Sequence, residues 1–455
     1  MSRLLDSTCF IRAARGGLGR PDAAGAQAMA VFGGALYVGT GALAAGVTPP
    51  PARLLRFAGE TWRTVLESPT SGMAEEPAVD LRLAPDLLEA LHAREGGATS
   101  CPDDAGYVSL AVFQAPGESA PALYVGTASP AGGRVLRSAD GESFEPASEP
   151  GFDLPAYAVT ALCVHDGRLF AVTRGALDGP LVDLDASALP VVHMCLDPQA
   201  GSWDEASLPG FGDEDNIAVT ALASFDGWLY AGTANPERGF QLWRTRAQGE
   251  APFDWEPVIE DGAYAFTANH AVAALAVFGG ALYLGTATRA LGYEEEPALG
   301  TDAAELIRLD ADGSWDLIAG QPRFTPLGIR APLAMMGAGF DDRYNAAFES
   351  LCAHDGALYL GTRHWGAFAA LAQEAGPVVG GYQLWASADG LDWELVLEDG
   401  AGNPAEVALA SLASTPEGLF AGSANVEPLL SLAAALRERD DSIAPRAGFE
   451  ILRGR

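Results

Sequence analysis

The residues best able to do chemistry gather late in the chain. Asp341-Asp342-Arg343-Tyr344-Asn345 runs into Glu349, and Arg363-His364-Trp365 follows shortly after. Carboxylate, phenol, imidazole and guanidinium in one neighbourhood are the mix that general acid–base work requires. In such a site Asp342 or Glu349 acts as base, and Tyr344 orients the nucleophile. Arg363, with Arg174, holds a leaving anion, because a guanidinium offers forked donors to an anionic group. His270, Arg289, His364 and Trp365 complete the expected substrate-binding set. Glu349 is the outlier of its neighbourhood: a carboxylate in an inner strand is costly unless it is paired with an arginine or put to use, and both readings stand.

Metal chemistry finds few ligands. The six histidines are His92, His165, His193, His270, His354 and His364, and only His270 and His364 fall on the expected functional side. Four axial histidines around iron are therefore not expected, and no cofactor is. Acidic loops leave a structural Ca²⁺ open, although Asp310-Ala311-Asp312-Gly313 lacks the spacing of an EF-hand loop. The five cysteines form no CxxC. Cys163, Cys195 and Cys352 fall in apolar strands and read as buried free thiols.

Composition narrows the partners. The formal net charge is −33, and all 27 basic residues are arginine. Such a surface repels phosphate backbones, so nucleic acid is not an expected partner. The absence of lysine removes Schiff-base catalysis on that side chain. No run of about 18 apolar residues appears, so no membrane span is expected. The N-terminus lacks a basic-then-apolar leader pattern, which makes the cytoplasm the expected location.

The elements that must position these residues are short strands. Leu36-Tyr37-Val38-Gly39-Thr40 returns at Leu123–Thr127, Leu169–Thr173, Leu229–Thr233, Leu282–Thr286, Leu358–Thr362 and, as LFAGS, at Leu419–Ser423. Each copy follows another apolar run across a tight turn, such as Phe225-Asp226-Gly227, where Asp-Gly supplies positive φ. A third run and an aromatic-bearing fourth follow, around Trp62, Phe144, Trp203, Trp255, Trp315 and Trp393. The closest copies lie about 46 residues apart, near the repeat length of a propeller. The seventh copy lacks a fourth strand, and residues 8–14 at the other end look like a fourth strand without a sheet. The expected fold is thus all-β: a seven-bladed propeller of four-stranded antiparallel blades, one domain over 1–455, closed by the N-terminal strand in the last blade.

Strand alternation sorts the loops by face. Short turns fall on one side. The long segments 68–106, 174–190, 287–304, 321–346, 363–380 and 425–447 crowd the other. Segments of this length are commonly functional, so that face is the expected site. Helices are expected within two of them, at Pro85–Arg94 and Pro428–Arg439. Small residues, Ala28, Ser109, Ala161, Ala221, Ala274, Ser350 and Ser411, match in position along the innermost strands and suit a crowded hub. Asn216, Asn269 and Asn345 recur just before inner strands, where asparagine caps turns. Ser138–Phe144 and Ser387–Trp393 resemble Asp-box hairpins, one residue short.

Together, GFGDEDN at 210–216, LYAGTAN in the second strand and GFQLWR in the third resemble a bacterial family of seven-bladed propellers with YVGTxN…GxxxWR repeats. The resemblance covers nearly the whole chain. It extends to the propeller half of the alkylating enzyme of cylindrocyclophane biosynthesis, and implies a small-molecule substrate, with alkylation of an aromatic or carboxylate nucleophile in specialised metabolism. It transfers no catalytic residue by position. The other class of reading is a non-catalytic scaffold whose long loops form a rim for a protein partner.

Overall fold

The computed structural model describes residues 4–23, 25–41, 50–73, 100–153, 156–175, 189–288, 302–326, 328–367, 380–428, 430–431 and 446–455. Pro85–Arg94, most of Pro428–Arg439 and Arg289 lie outside them. Nearly all the regular structure is antiparallel strand, in one large connected sheet and two small two-stranded sheets. Gly25–Phe32, Ala35–Gly41, Arg53–Ala58 and Thr61–Glu67 pair in succession. The same meander recurs from Gly106, Ala156, Ala218, Ala271 and Asn345. The last run, Glu406–Thr415, Gly418–Asn425 and Ile451–Gly454, takes its fourth strand from the other end of the chain. Phe10–Ala14 lies antiparallel to Ile451–Gly454, with Phe10 opposite Gly454 and Ile11 opposite Arg453. The strand begins two residues later than the sequence suggests, because Ser7–Cys9 forms a 3₁₀ turn in which Asp6 accepts from the Thr8 amide at 2.9 Å.

Each letter of the L-Y-x-G-T motif has a physical job. The aromatic is buried: Tyr37, Tyr124, Phe170, Tyr230, Tyr283, Tyr359 and Phe420 are all at most 2% exposed. The glycine lets the next meander approach. A Cβ on Gly39 would stand 2.1 Å from the Tyr107 carbonyl oxygen, and one on Gly285 would stand 2.4 Å from that of Phe348. The threonine pins the third strand. Its hydroxyl accepts the amides of Arg53, Gln241, Glu305 and Gln383 at 2.8–2.9 Å, from Thr40, Thr233, Thr286 and Thr362 respectively. Where Val172 replaces the glycine, the neighbouring join also differs. Second-strand ends bridge the next inner strand at Gly41–Gly106, Ala128–Ala158, Ala234–Ala271, Ala287–Ala347, Arg363–Ala408 and Ala424–Gly25. Among the described residues no such bridge is made by Arg174, two residues beyond Val172.

Contacts between meanders repeat as well. Trp255 donates its indole N–H to the Ala206 carbonyl at 2.9 Å, and Trp203 donates to Ala147 at 2.8 Å; each time a fourth strand reaches the previous fourth strand. Trp62 makes the same bond to Ala13, on the N-terminal strand. Asp140 and Asp389 organise the two Asp-box-like hairpins by accepting the amides of residues two and three places on. Gly141 and Gly390 in those hairpins press on Tyr37 and Tyr283 of a neighbouring meander.

Glu450, 2% exposed, is held between Arg12 at 2.6 Å and Arg446 at 3.3 Å. Arg12→Ala removes the nearer partner of a buried charge and a tie from the N-terminal strand. Chemical denaturation should show a loss of about 3 kcal/mol, whereas Arg446→Ala, at a half-exposed side chain, should cost less.

Candidate functional site

The position-matched small residues line one cavity. Ala28, Ser109, Ala161, Ala221, Ala274, Ser350 and Ser411, each with the residue after it, enclose about 260 Å³. The serine hydroxyls there are spent internally: Ser109 donates to the Val159 carbonyl, Ser350 to Leu409 and Ser411 to Ala26, each at 2.7 Å. They tie one inner strand to the next and are not displayed for chemistry. Just before these residues every inner strand carries a β-bulge, which skips one residue in the pairing. The skipped residues are Gln27, Val108, Thr160, Thr220, Ala273, Glu349 and Ala410. A bulge re-aims its side chain, and only Glu349 among these can ionise.

Glu349 meets Arg363 from the adjacent strand of its own meander. Arg363 Nε donates to Glu349 Oε2 at 2.9 Å, and Nη2 reaches Oε1, a two-point fork. The side chains are 20% and 16% exposed. Burial alone would lower the guanidinium's pKa, but the Glu349 charge and hydrogen bond outweigh it, so the cation is held more firmly than usual. The pair therefore sits within one meander rather than stapling two.

A second group forms around Asp342. Its carboxylate accepts the Tyr344 amide and the Gln383 side-chain amide, both at 2.9 Å, and lies 3.4 Å from His364 Nε2. Burial pushes the Asp342 carboxyl up, but these donors more than offset it, leaving it below the usual range and ionised at neutral pH. The Gly366 amide donates to His364 Nδ1 at 3.1 Å. That bond assigns the ring proton to Nε2, facing Asp342. Both imidazole nitrogens are thus committed, so His364 positions Asp342 and has no free lone pair to act as a base. Tyr344 stacks obliquely on His364 with ring centres 5.5 Å apart, and its hydroxyl accepts from Arg343 at 2.9 Å. Trp365 is 5% exposed, and its amide donates to the Tyr344 carbonyl at 2.8 Å. His364 follows Arg363 on the same strand, but the hydrogen bonds of Asp342 run to Tyr344, Gln383 and His364 and those of Arg363 to Glu349.

The meander from Ala218 provides an internal control. Asp213 accepts from Gln241 at 2.7 Å, Gln241 accepts from Asn216 at 2.8 Å, and the Trp243 indole donates to Gln241 at 2.8 Å. Asp342, Gln383, Asn345 and Trp385 repeat this network bond for bond. In both copies the asparagine amide also donates to the carbonyl of the glycine six residues earlier, Gly210 or Gly339. This glycine and its successor are left-handed, so the asparagine closes a tight turn. One member differs. Asn235 donates to Asn216 Oδ1 at 3.1 Å, whereas His364 in the matching place points its N–H at Asp342. Asn345 Oδ1 is left buried without a partner.

In the last meander Glu406 replaces the asparagine. It is fully buried, and its Oε1 accepts from Asn403 at 3.1 Å and Asn425 at 2.8 Å, while Oε2 has no partner. Burial drives its carboxyl up to about 8, against the pull of the Ser423, Asn425 and Asn403 hydrogen bonds. Sequence reasoning missed Glu406, Gln241 and Gln383. The glutamines had a signal, in the paired strings Phe240-Gln241-Leu242-Trp243 and Tyr382-Gln383-Leu384-Trp385. Glu406 had none without the register.

The remaining expected site residues are dispersed. Arg174 is half-buried at the register position of Arg363 but in the meander from Ala156. His270 is 4% exposed ahead of Ala271–Phe278, with its carbonyl taken by the Asn235 amide at 3.0 Å. His193, His165 and His354 are structural. Burial lowers His193 to about 4, and the other two bond Ser224 and Ser414 at 2.8 and 2.9 Å. Cys195 is buried, while Cys163 and Cys352 are partly so. Among the described residues no three His, Cys, Asp or Glu side chains gather into a metal-binding group, and no helix is long and apolar enough to cross a membrane.

No family's sequence profile and no curated protein matches the chain. Solved structures that resemble it are propeller-like. They include PorZ, a surface component of the type-IX secretion system of Porphyromonas gingivalis, at TM-score 0.46 and 12% identity, covering 86% of this chain and 44% of that one. Puromycin hydrolase matches at TM-score 0.46 and 14% identity, over 94% of this chain and 54% of that one. A Lactobacillus plantarum protein matches at TM-score 0.41 and 11% identity, over 82% and 84%. The chain spans about half the length of the first two. Likenesses this shallow assign no residue a role.

Two outcomes follow from the repeat comparison. Glu406 binds a proton in the folded chain that the unfolded chain, with a carboxyl near 4.5, releases. Stability should therefore fall as pH rises from about 4.5 to about 8 and level off above. Thermal melts across that range should show a shallower decline for Glu406→Gln. His364→Asn supplies the donor that Asn345 lacks and should raise stability by about 1 kcal/mol in urea titrations; unchanged or lower stability would remove this account of the orphaned oxygen.

Proposed function

We propose that residues 1–455 form one seven-bladed β-propeller closed by its N-terminal strand, and that it binds a small polar molecule at the Glu349–Arg363 pair, where Glu349 immediately precedes the cavity-lining Ser350. The closure is supported by the Phe10–Ala14 pairing with Ile451–Gly454 and by the Trp62–Ala13 bond, which repeats the Trp255–Ala206 and Trp203–Ala147 contacts. A cavity lined by matched residues from every inner strand fits a ring with an axis.

One observation carries the binding reading. Second strands end in Gly41, Ala128, Ala234, Ala287 and Ala424 where Arg363 stands, Arg174 being the other arginine, and no other bulge carries a charge where Glu349 stands. The remaining meanders fold without a bulge carboxylate paired to a guanidinium at these places. Such a pair contributes little net stability once desolvation is counted. Rule-breaking positions of this kind mark function. Two bonds to Glu349 leave the Arg363 Nη1 hydrogens to hold an anionic or carbonyl oxygen.

The finer reading is catalytic alkylation. Ionised Asp342 accepts the proton of a phenol or carboxylic acid nucleophile, with Tyr344 beside it. The nucleophile forms the new bond to carbon as the leaving group departs with its electron pair to Arg363. The alternative, a non-catalytic scaffold, draws on the apolar surface stretch at 322–326 and 328–335.

Thermal shift against a panel of phenols, small organic acids and alkyl halides tests the binding reading. A ligand at about 100 times its dissociation constant adds about 2.7 kcal/mol of stability. The wild type should respond to at least one compound, and Arg363→Ala and the double variant Glu349→Ala/Arg363→Ala should not. The double variant removes both charges and so controls for an unpaired carboxylate. A wild type that answers nothing in the panel, or variants that respond equally, would end this assignment.

A further inference from the structure

One surface stretch contradicts the character of the rest. From Gln321 to Phe340 there is no acidic residue, in a chain whose net charge is −33. Arg323–Thr325 and Gly328–Arg330 form a hairpin that makes a two-stranded sheet of its own. Phe324 lies directly opposite Ile329, so the two share a face, and they are 83% and 66% exposed. The flanking pair, Arg323 and Arg330, points the other way: Arg323 forks onto Glu305 at 2.6 and 2.9 Å, and Arg330 meets Asp316 at 3.3 Å. The hairpin thus turns its charges inward, neutralised, and its apolar side chains out. That reverses the usual alternation of a surface strand.

The chain then continues along the edge of Trp315–Ala319. Leu333 and Ala334 donate their amides to Leu317 and Ile318, each at 2.9 Å, which fixes this segment against the sheet. It still leaves Leu333 50% and Met335 91% exposed, the latter at φ +54°. Met335 closes a turn there, its amide donating to the Pro332 carbonyl at 3.1 Å, which holds its side chain out into solvent. Pro322, Pro326, Ala331 and Pro332 add apolar surface between these residues.

We propose that residues 322–326 and 328–335 form a self-association surface, through which two copies of this chain pair across a two-fold axis, hairpin to hairpin. Two features favour a second copy over another partner. The first is charge. Almost any other face-to-face contact between copies sets carboxylate against carboxylate, while this stretch is neutral and free of acid. A basic partner is drawn to the acidic surface elsewhere. A neutral apolar patch is best matched by its own copy, in an isologous contact where Phe324 of each chain can meet Ile329 of the other. The second is the hairpin's backbone. A two-stranded sheet is marginal alone, and packing two such hairpins face to face covers Phe324 and Ile329 of both and gives each hairpin a second layer.

Sedimentation velocity on the full chain tests this between about 1 and about 100 µM, the range in which a modest interface titrates. The expected result is a shift from 47.1 kDa to twice that mass with concentration. The dimer should strengthen as salt rises above about 0.15 M, because salt screens the net repulsion while apolar burial persists. Phe324→Asp and Ile329→Asp should sediment as monomers throughout, with melting temperatures like that of the wild type, since neither side chain is buried in the monomer. Wild type that stays monomeric at the highest concentration in high salt overturns the proposal, as does an aspartate variant that still dimerises. Neither outcome bears on ligand binding at Glu349 and Arg363.

Discussion

The join on which the rest depends is the antiparallel pairing of Phe10–Ala14 with Ile451–Gly454. It links residues more than four hundred positions apart, so the chain meets a large loop-closure cost before the pairing returns anything, although that cost rises only slowly with length. The return is spread over several interactions. Glu450 is neutralised by Arg12, Trp62 finds Ala13, and the apolar cluster of Ala14, Ala26, Phe57, Phe420 and Phe449 is completed from both ends of the chain. Without this strand, Ile451–Gly454 would be an exposed apolar edge, a template for aggregation.

Between meanders the packing rests on what side chains are absent. Gly39, Gly126, Gly232, Gly285, Gly361 and Gly422 each sit where a Cβ would strike the next inner strand. Close backbone approach allows the alanine and glycine bridges at the second-strand ends, and hydroxyls from Ser109, Ser350 and Ser411 complete the joins. The one motif copy with valine, Val172, coincides with the one end, at Arg174, where no bridge forms among the described residues.

The strands, their order and the chain-end pairing were legible because the motif is periodic and its turns carry Asp-Gly signals. The hub residues Ala28 to Ser411 were legible for the same reason: register is a property of a repeat. The site was less so. Glu349 could be flagged as a misplaced carboxylate, but its choice of Arg363 over an arginine of another meander depends on the bulge that re-aims it. His364 was expected to bind substrate, yet the Gly366 amide at Nδ1 and Asp342 at Nε2 use both nitrogens. Glu406 was invisible because its oddity exists only against Asn216, Asn269 and Asn345 in three dimensions.

A repeat architecture thereby supplies its own reference state. Where the meander from Asn345 copies the one from Ala218, as in Asp342–Gln383–Asn345–Trp385, folding accounts for the hydrogen-bond network. Where it departs, folding does not. His364 leaves Asn345 Oδ1 unpaired, and Glu349 places a charge where every other bulge residue is neutral, with Arg363 beside it. These departures lie on or next to strands Asn345–His354 and Ala357–His364. Others lie elsewhere: Glu406 takes the asparagine's place in the last meander, and Arg174 stands at the Arg363 position in the meander from Ala156. What sets the meander from Asn345 apart is that a bulge carboxylate meets a guanidinium on the adjacent strand, and the proposed binding site rests on that pairing.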